Sequence, residues 1–240
     1  RGRGRGRRGT AALRVLVPGA GMGRLAWEAA RRGHRVEASD ASASMLVAAH
    51  ALLSGGVARG ALRFFPRVRC EAGALRRAPC LAASQAPDVA AAAGLNAGYN
   101  AGHAGGNLTL QAGAFERLYG AARHGAAVTP PWDALLTSYF LDTLADPAAA
   151  VRTAWDLLAP GGVWINVGPL HWHQPKLGFL RLSWEELRGL LRLRGFTLRE
   201  HRVIRRAPYL GRPARRARDE LLSGVDSWHD AIFFVAQKHG

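Results

Sequence analysis

"LRVLVPGAGMGRLAWEAARRGHRVEASD", Leu13–Asp40, decides the fold. Leu13–Val17 is a short apolar run, the mark of a strand buried on both faces of a parallel sheet. It empties into the turn Gly19-Ala20-Gly21-Met22-Gly23-Arg24. Arg24–Arg32 then has helical spacing, with Leu25 and Ala29 on one face, and stops at Gly33, a residue suited to a helix C-terminus. Arg35–Ser39 reads as a second strand with Asp40 at its end. Ser42–Leu53 reads as a second helix that closes before Gly55-Gly56. Strand, helix, strand, helix predicts an α/β fold, a parallel sheet with helices on both faces.

The turn is GxGxG. It lacks the sixth-position glycine of the dinucleotide fingerprint, and no Gly-Lys-Ser/Thr follows to cradle phosphates. Dinucleotide loops seat a pyrophosphate on the helix N-terminus. A loop of this form instead lets backbone approach a ligand with less charge, and S-adenosylmethionine (SAM), an adenosine joined to an amino acid, fits that description. Asp40 stands beside the loop at the C-terminal edge of the sheet, where a carboxylate accepts from both ribose hydroxyls. That contact argues for a nucleoside and does not separate SAM from NAD. The alternative is a tight strand-helix turn that binds nothing.

The bulk numbers set the frame. A chain of 240 residues with 48% hydrophobic content suits one domain, since single domains run to roughly 100–250 residues. No apolar run approaches the ~18 residues of a membrane span, and no signal peptide is expected. Cys70 and Cys80 make neither a disulfide framework nor a CxxC zinc motif, so a reducing cytoplasmic or nuclear compartment is the default. The net charge is +16, but Lys176 and Lys238 are the only lysines and the rest is arginine spread along an alanine- and glycine-rich chain. GC-rich coding can produce such a bias, so the charge is discounted as a functional signal and nucleic acid is not the expected partner. Residues 1–12 read as a disordered Arg/Gly tail, and 13–240 as one domain with a low-complexity insertion at about 54–107.

After the insertion, "NLTLQAG" and "WDALLTSYF" are strand-like. Pro147–Leu158 is a helix with proline in its first turn, and "LAPGG" reads as helix stop and turn. "VWINVG" is a strand. Ser183–Arg194 opens as a helix with Ser183 and Glu186 in capping-box register. "FTLREHRVI" and "AIFFVAQ" form a closing pair of strands. Trp132, Trp155, Trp164 and Trp184 read as core.

"VLVPGAGMGRLAWE" at 15–28, "WDALLTSYFLDT" at 132–143 and "LLAPGGVWINVGPLHWH" at 157–173 resemble the carnosine N-methyltransferase (N2227-like) family. "PGG" before a strand is common to SAM methyltransferases; "WINVGPL" followed by histidine is the specific part. The resemblance implies a seven-stranded SAM-dependent methyltransferase fold and methylation of an imidazole nitrogen of carnosine to give anserine. It places the cofactor loop on Gly19, Gly21, Gly23 and Arg24, and the ribose acid on Asp40. It makes Asp142 and His173 the catalytic and substrate-binding pair, with Tyr209 and His229 as further substrate contacts. The chemistry is coherent. Free imidazole titrates near ~6.5, so the neutral nucleophile is abundant at pH 7. A carboxylate that accepts from one ring N–H fixes the tautomer, aims the other nitrogen at the methyl group and stabilises the charge that develops on the ring. Asp142 has an alternative reading as a helix N-cap, and His173 one as a solvated loop histidine. His171 and His173 have no third ligand at metal-site spacing, so no metal is expected.

Three departures bear on activity. Family members carry a helical region before the first strand, whereas only the Arg/Gly tail precedes Leu13, which implies a more open cofactor face or a fragment. Ala114 stands where the family's "AGDF" segment has an acid near the adenine. His229 stands where the family has a tyrosine. The expected partner is a small histidine-containing dipeptide, with a protein histidine as the second acceptor class. No membrane partner is expected, and a homodimer is open. The reading from a different class is a methyltransferase-like binding protein with weak or no catalysis.

Overall fold

The computed structural model describes residues 11–65, 83–91, 106–120, 131–172, 180–208 and 228–239. The predicted Arg/Gly tail falls almost entirely outside them, as do Cys70, Cys80, His173 and Tyr209. Seven strands make the main sheet: β1 (Arg14–Pro18), β2 (Arg35–Asp40), β5 (Leu108–Ala112), β6 (Trp132–Ser138), β7 (Leu158–Gly168), β8 (Phe196–Pro208) and β9 (Trp228–Lys238). Their order is β5-β2-β1-β6-β7-β9-β8. All neighbours are parallel except β9, which runs antiparallel to β7 and β8. The order reverses between β1 and β6, and open parallel sheets bind ligands at the strand C-termini where that happens.

Among the described residues five α-helices cover the sheet: α1 (Arg24–Ala30), α2 (Ala43–Leu53), α3 (Phe115–Tyr119), α4 (Pro147–Leu157) and α5 (Trp184–Arg194). β1 shows why both faces need cover. Val15 and Val17 pack with α1 and α2, while Leu16 joins Leu135, Val151, Leu187 and Phe234 on the other face. Side chains alternate across a strand, so a strand this apolar is stable only between two layers. Trp132 and Trp164 are buried in the second layer, and Trp155 and Trp184 pack against it.

Local sequence sets most helix ends. Ser42 caps α2, its hydroxyl accepting from the Met45 N–H. Ser183 and Glu186 form the predicted capping box on α5, and Gly195 ends that helix in the left-handed region. α1 is shorter than its spacing suggests. It ends at Ala30, and Gly33 takes φ 93° in the turn beyond.

Two segments differ from the sequence reading. "LAPGG" is not a free turn between helix and strand. β7 begins at Leu158, paired to Trp132, and the register then jumps so that Ala134 faces Val163. The turn is a bulge inside β7, with Gly161 at φ 78°. The second difference lies in 54–107, where β3 (Leu62–Phe64) pairs antiparallel with β4 (Ser84–Ala86). Ala91 beyond it is buried, and its carbonyl accepts the Trp27 indole N–H at 2.8 Å. Among the described residues no helix is long and apolar enough to cross a membrane.

Candidate active site

The glycine loop and Asp40 are one structure. After β1 the chain turns with Gly19 at φ 63° and Gly21 at φ 54°, angles at which an L side chain is strained. The Gly21 N–H donates to Asp40 Oδ2 at 2.9 Å, and the Ser42 N–H donates to Oδ1 at 2.8 Å. The Ala20 N–H reaches the Ser39 carbonyl at 3.0 Å, and the Gly113 N–H reaches the Asp40 carbonyl at 2.9 Å. The half-buried carboxylate is therefore held by the two loops that flank it. An ionised carboxylate offers about four acceptor positions, and two are filled here. Among the described residues nothing lies within 4 Å of where a Gly21 side chain would project, which leaves a cradle open above the loop. Gly23 caps α1 from the left-handed region.

Arg24 has a different position from the other predicted cofactor residues. Its guanidinium bonds Asp88 at 2.6 Å and Glu28 at 3.1 Å, and sits over the Trp27 ring. The Asp88 hydrogen bond, the largest cause, raises the pKa of Arg24, and the same bond lowers that of Asp88. The Arg32 hydrogen bond comes first among the causes that lower Glu28. Arg24 therefore pins the 83–91 segment to α1. A cavity of about 450 Å³ opens along that seam, lined by Met22, Arg24, Trp27, Leu53, Pro87 and Val89 among others. Asp40 and Asp142 are not part of its wall.

The second half of the site follows β6. Tyr139 takes φ 50°, and its N–H donates to the Val167 carbonyl at 2.8 Å. β7 tolerates this approach because Gly168 carries no Cβ, which would stand 3.0 Å from the Tyr139 nitrogen. The turn leads into a 3-10 segment, Leu141–Thr143. Asp142 lies within it at 2% exposure, and its Oδ2 accepts the His171 backbone N–H at 3.2 Å. The N-cap reading of Asp142 is corrected here: Asp146 caps α4, accepting from the Ala149 N–H at 2.8 Å.

His229 is the second residue of β9, and its ring meets that of His171 edge-on, 4.5 Å between centroids. Asp142, His171 and His229 thus gather where β6 and β7 end and antiparallel β9 begins. His173 and Tyr209 lie outside the described residues. His171 was not singled out as a substrate residue in the sequence. Its signal was the alternation in "LHWH", which the flanking Trp172 resolves: Trp172 is buried at φ 41° with its indole N–H on the Leu182 carbonyl at 2.9 Å. Phe140 is a second residue the sequence reading missed. A methyl group on Gly19 would overlap its ring, meeting Cγ at 2.9 Å. Ala114 is the N-cap position of α3 and gives it no side-chain cap.

A family model described as carnosine N-methyltransferase matches residues 5–221. The mouse carnosine N-methyltransferase is 27% identical over 229 residues, covering 94% of this chain and 52% of the mouse protein. The Drosophila melanogaster relative is 26% identical over 230 residues, covering 94% of this chain and 45% of its own. The chain thus spans about half the length of the curated relatives it matches. Among solved structures, a SAM-dependent methyltransferase from Methanosarcina mazei superposes with a TM-score of 0.53 at 15% identity, covering 96% of this chain and 94% of that one. TehB from Haemophilus influenzae gives 0.53 at 11% identity, covering 95% and 58%. These likenesses show the fold, a seven-stranded methyltransferase-type sheet.

Proposed function

The chain belongs to the carnosine N-methyltransferase family, and from that premise we propose that it transfers a methyl group from SAM to an imidazole nitrogen of a histidine-containing dipeptide, with carnosine the first candidate. The observation that carries the reading is the pairing of two half-sites on one sheet edge: the open Gly21–Asp40 cradle after β1 and β2, and buried Asp142 with His171 and His229 after β6 and β7.

The cradle fits the cofactor. Asp40 keeps acceptor positions for ribose hydroxyls, and the loop brings backbone rather than side chains to the ligand. Bound there, SAM supplies an electrophilic methyl group. What the protein supplies is alignment, the dominant contribution in an in-line displacement. Asp142 accepts the N–H of the acceptor ring, selects its tautomer and stabilises the positive charge that develops as the other nitrogen attacks. Asp142 is 2% exposed and its Oδ2 already accepts the His171 backbone N–H, so the acceptor ring competes with that bond. His171 and His229 then border the incoming ring.

The test is mass spectrometry of carnosine incubated with SAM and the protein, with Asp142→Asn alongside. The expected result is methylated carnosine from the wild type and a large loss of rate in the variant. SAM binding without methyl transfer to carnosine or any related dipeptide would defeat the reading. A histidine in a peptide is the same nucleophile, and a peptide arm in the same assay separates the two acceptors. Ala114 favours a second reading, a binding protein with weak catalysis: α3 starts without a side-chain cap, and position 114 itself offers no acceptor for the adenine. Calorimetry with SAM distinguishes it, because a relic binds without turnover.

A further inference from the structure

We infer that Phe140 recognises the positive charge of the methyl donor, making it a specificity-determining residue of the reaction proposed above, on which this inference rests. The sheet order reverses between β1 and β6, so the crevice between those strands is where a ligand lies. Gly19 comes from one wall of the crevice and Phe140 from the other. The Phe140 ring lies on Gly19 so closely that a single methyl group there would overlap it.

The fold drives the ring into that place. Tyr139 at φ 50°, tied to the Val167 carbonyl, turns the chain sharply at the end of β6. Phe115 then meets the ring edge-on at 5.7 Å between centroids and 79° between planes. Leu141 and Asp142 next to it are buried at 2% each, but Phe140 is only half-buried.

Its neighbours say what it faces. On the Gly19 side lie Gly21 and Asp40, which take the nucleoside. Two residues further along the chain lies Asp142, which takes the acceptor. The group that joins nucleoside to acceptor is the sulfonium, so the side chain between the two half-sites meets a cation. A carboxylate there would compete for the methyl group as a nucleophile. An aromatic face attracts the cation through its quadrupole and cannot accept the methyl.

The test compares two ligands that differ in that charge: SAM, a sulfonium, and its demethylated product S-adenosylhomocysteine, a neutral thioether. Calorimetric affinities of both are measured for the wild type, Phe140→Leu and Phe140→Tyr. Leucine keeps apolar bulk on Gly19 and Phe115 but removes the π face; tyrosine keeps both. Phe140→Leu is expected to weaken SAM roughly three- to tenfold while the neutral product changes by less than about twofold, and Phe140→Tyr to keep the wild-type ratio. Equal weakening of both ligands means that the ring only packs, and equal tightening means that it only obstructs; either result overturns the inference, as does no change. A wild type that binds neither ligand removes the cofactor reading itself, a failure visible before any variant is made.

Discussion

Replacing Gly19 with alanine tests the geometry on which the site depends. The substitution has two costs. At φ 63° the added Cβ crowds its own backbone, at about 1 kcal/mol. It also overlaps the Phe140 ring, and forcing an extra methyl group into a packed contact adds roughly 1–3 kcal/mol. The expected loss is about 3 kcal/mol, a fall in Tm of about 6–12 °C for a domain of this size. Gly21→Ala is the internal control. Its φ is 54°, but no described residue lies within 4 Å of the new methyl group, so only the backbone cost of about 1 kcal/mol applies, about 2–4 °C. Thermal unfolding of both variants gives the comparison. The Gly19→Ala/Phe140→Ala double mutant completes it, because removing the ring frees the space and the two losses must then be less than additive. Equal Tm shifts for the two glycine variants, or strict additivity in the double mutant, would refute the claim that Phe140 seats on the loop.

Three other outcomes follow from the same structure. Ala114→Asp places a side-chain acceptor at the uncapped start of α3; it should stabilise by about 0.5–2 kcal/mol and tighten SAM binding, and a lowered Tm would count against Ala114 as the N-cap. Thr137→Val removes the hydroxyl that accepts the Trp164 indole N–H at 2.9 Å and donates to Asn166 Oδ1 at 2.8 Å. Two buried polar groups lose a partner at roughly 1–3 kcal/mol each, so chemical denaturation should show a loss well above the ~1 kcal/mol typical of a point mutation. Asp88→Asn tests the seam between α1 and the 83–91 segment. The Arg24 hydrogen bond holds the Asp88 carboxyl below its usual range, so its stabilisation is full above the ordinary carboxylate pKa and is lost as pH falls through the lowered value. The pair is exposed, so its worth stays under about 1 kcal/mol. The Tm gap between wild type and variant should be small at neutral pH and close on acidification or in high salt; a gap that widens in acid would reverse the assignment.

How much of this was legible in the sequence depends on what carries the information. The β1–α1–β2 unit was legible because its signals are local: an apolar run, a glycine turn and an acid one strand later. The fold class followed from it. β3 and β4 were not legible. They are three residues each and all three β3 side chains are exposed, so they are too short and too solvated to show a period. The cap on α4 has a local signal. Pro147 at the first helical position makes the preceding residue the cap, which is Asp146 and releases Asp142 for chemistry.

The two halves of the site differ in how their backbone turns are made. The cofactor half turns on Gly19, Gly21 and Gly23, and glycine announces a left-handed conformation in the sequence itself. The acceptor half turns on Tyr139 at φ 50° and Trp172 at φ 41°, where bulky side chains hide the same conformation. Such residues cost of order 1–3 kcal/mol each and persist only where the surroundings hold them. Here the Val167 carbonyl holds Tyr139, and the Leu182 carbonyl holds the Trp172 ring. Those holding groups are remote in the chain, supplied by β7 and by the approach to α5. That is why Phe140 and His171 could be found only once the strands were in place: their positions are consequences of tertiary structure, while the glycine loop is a consequence of composition.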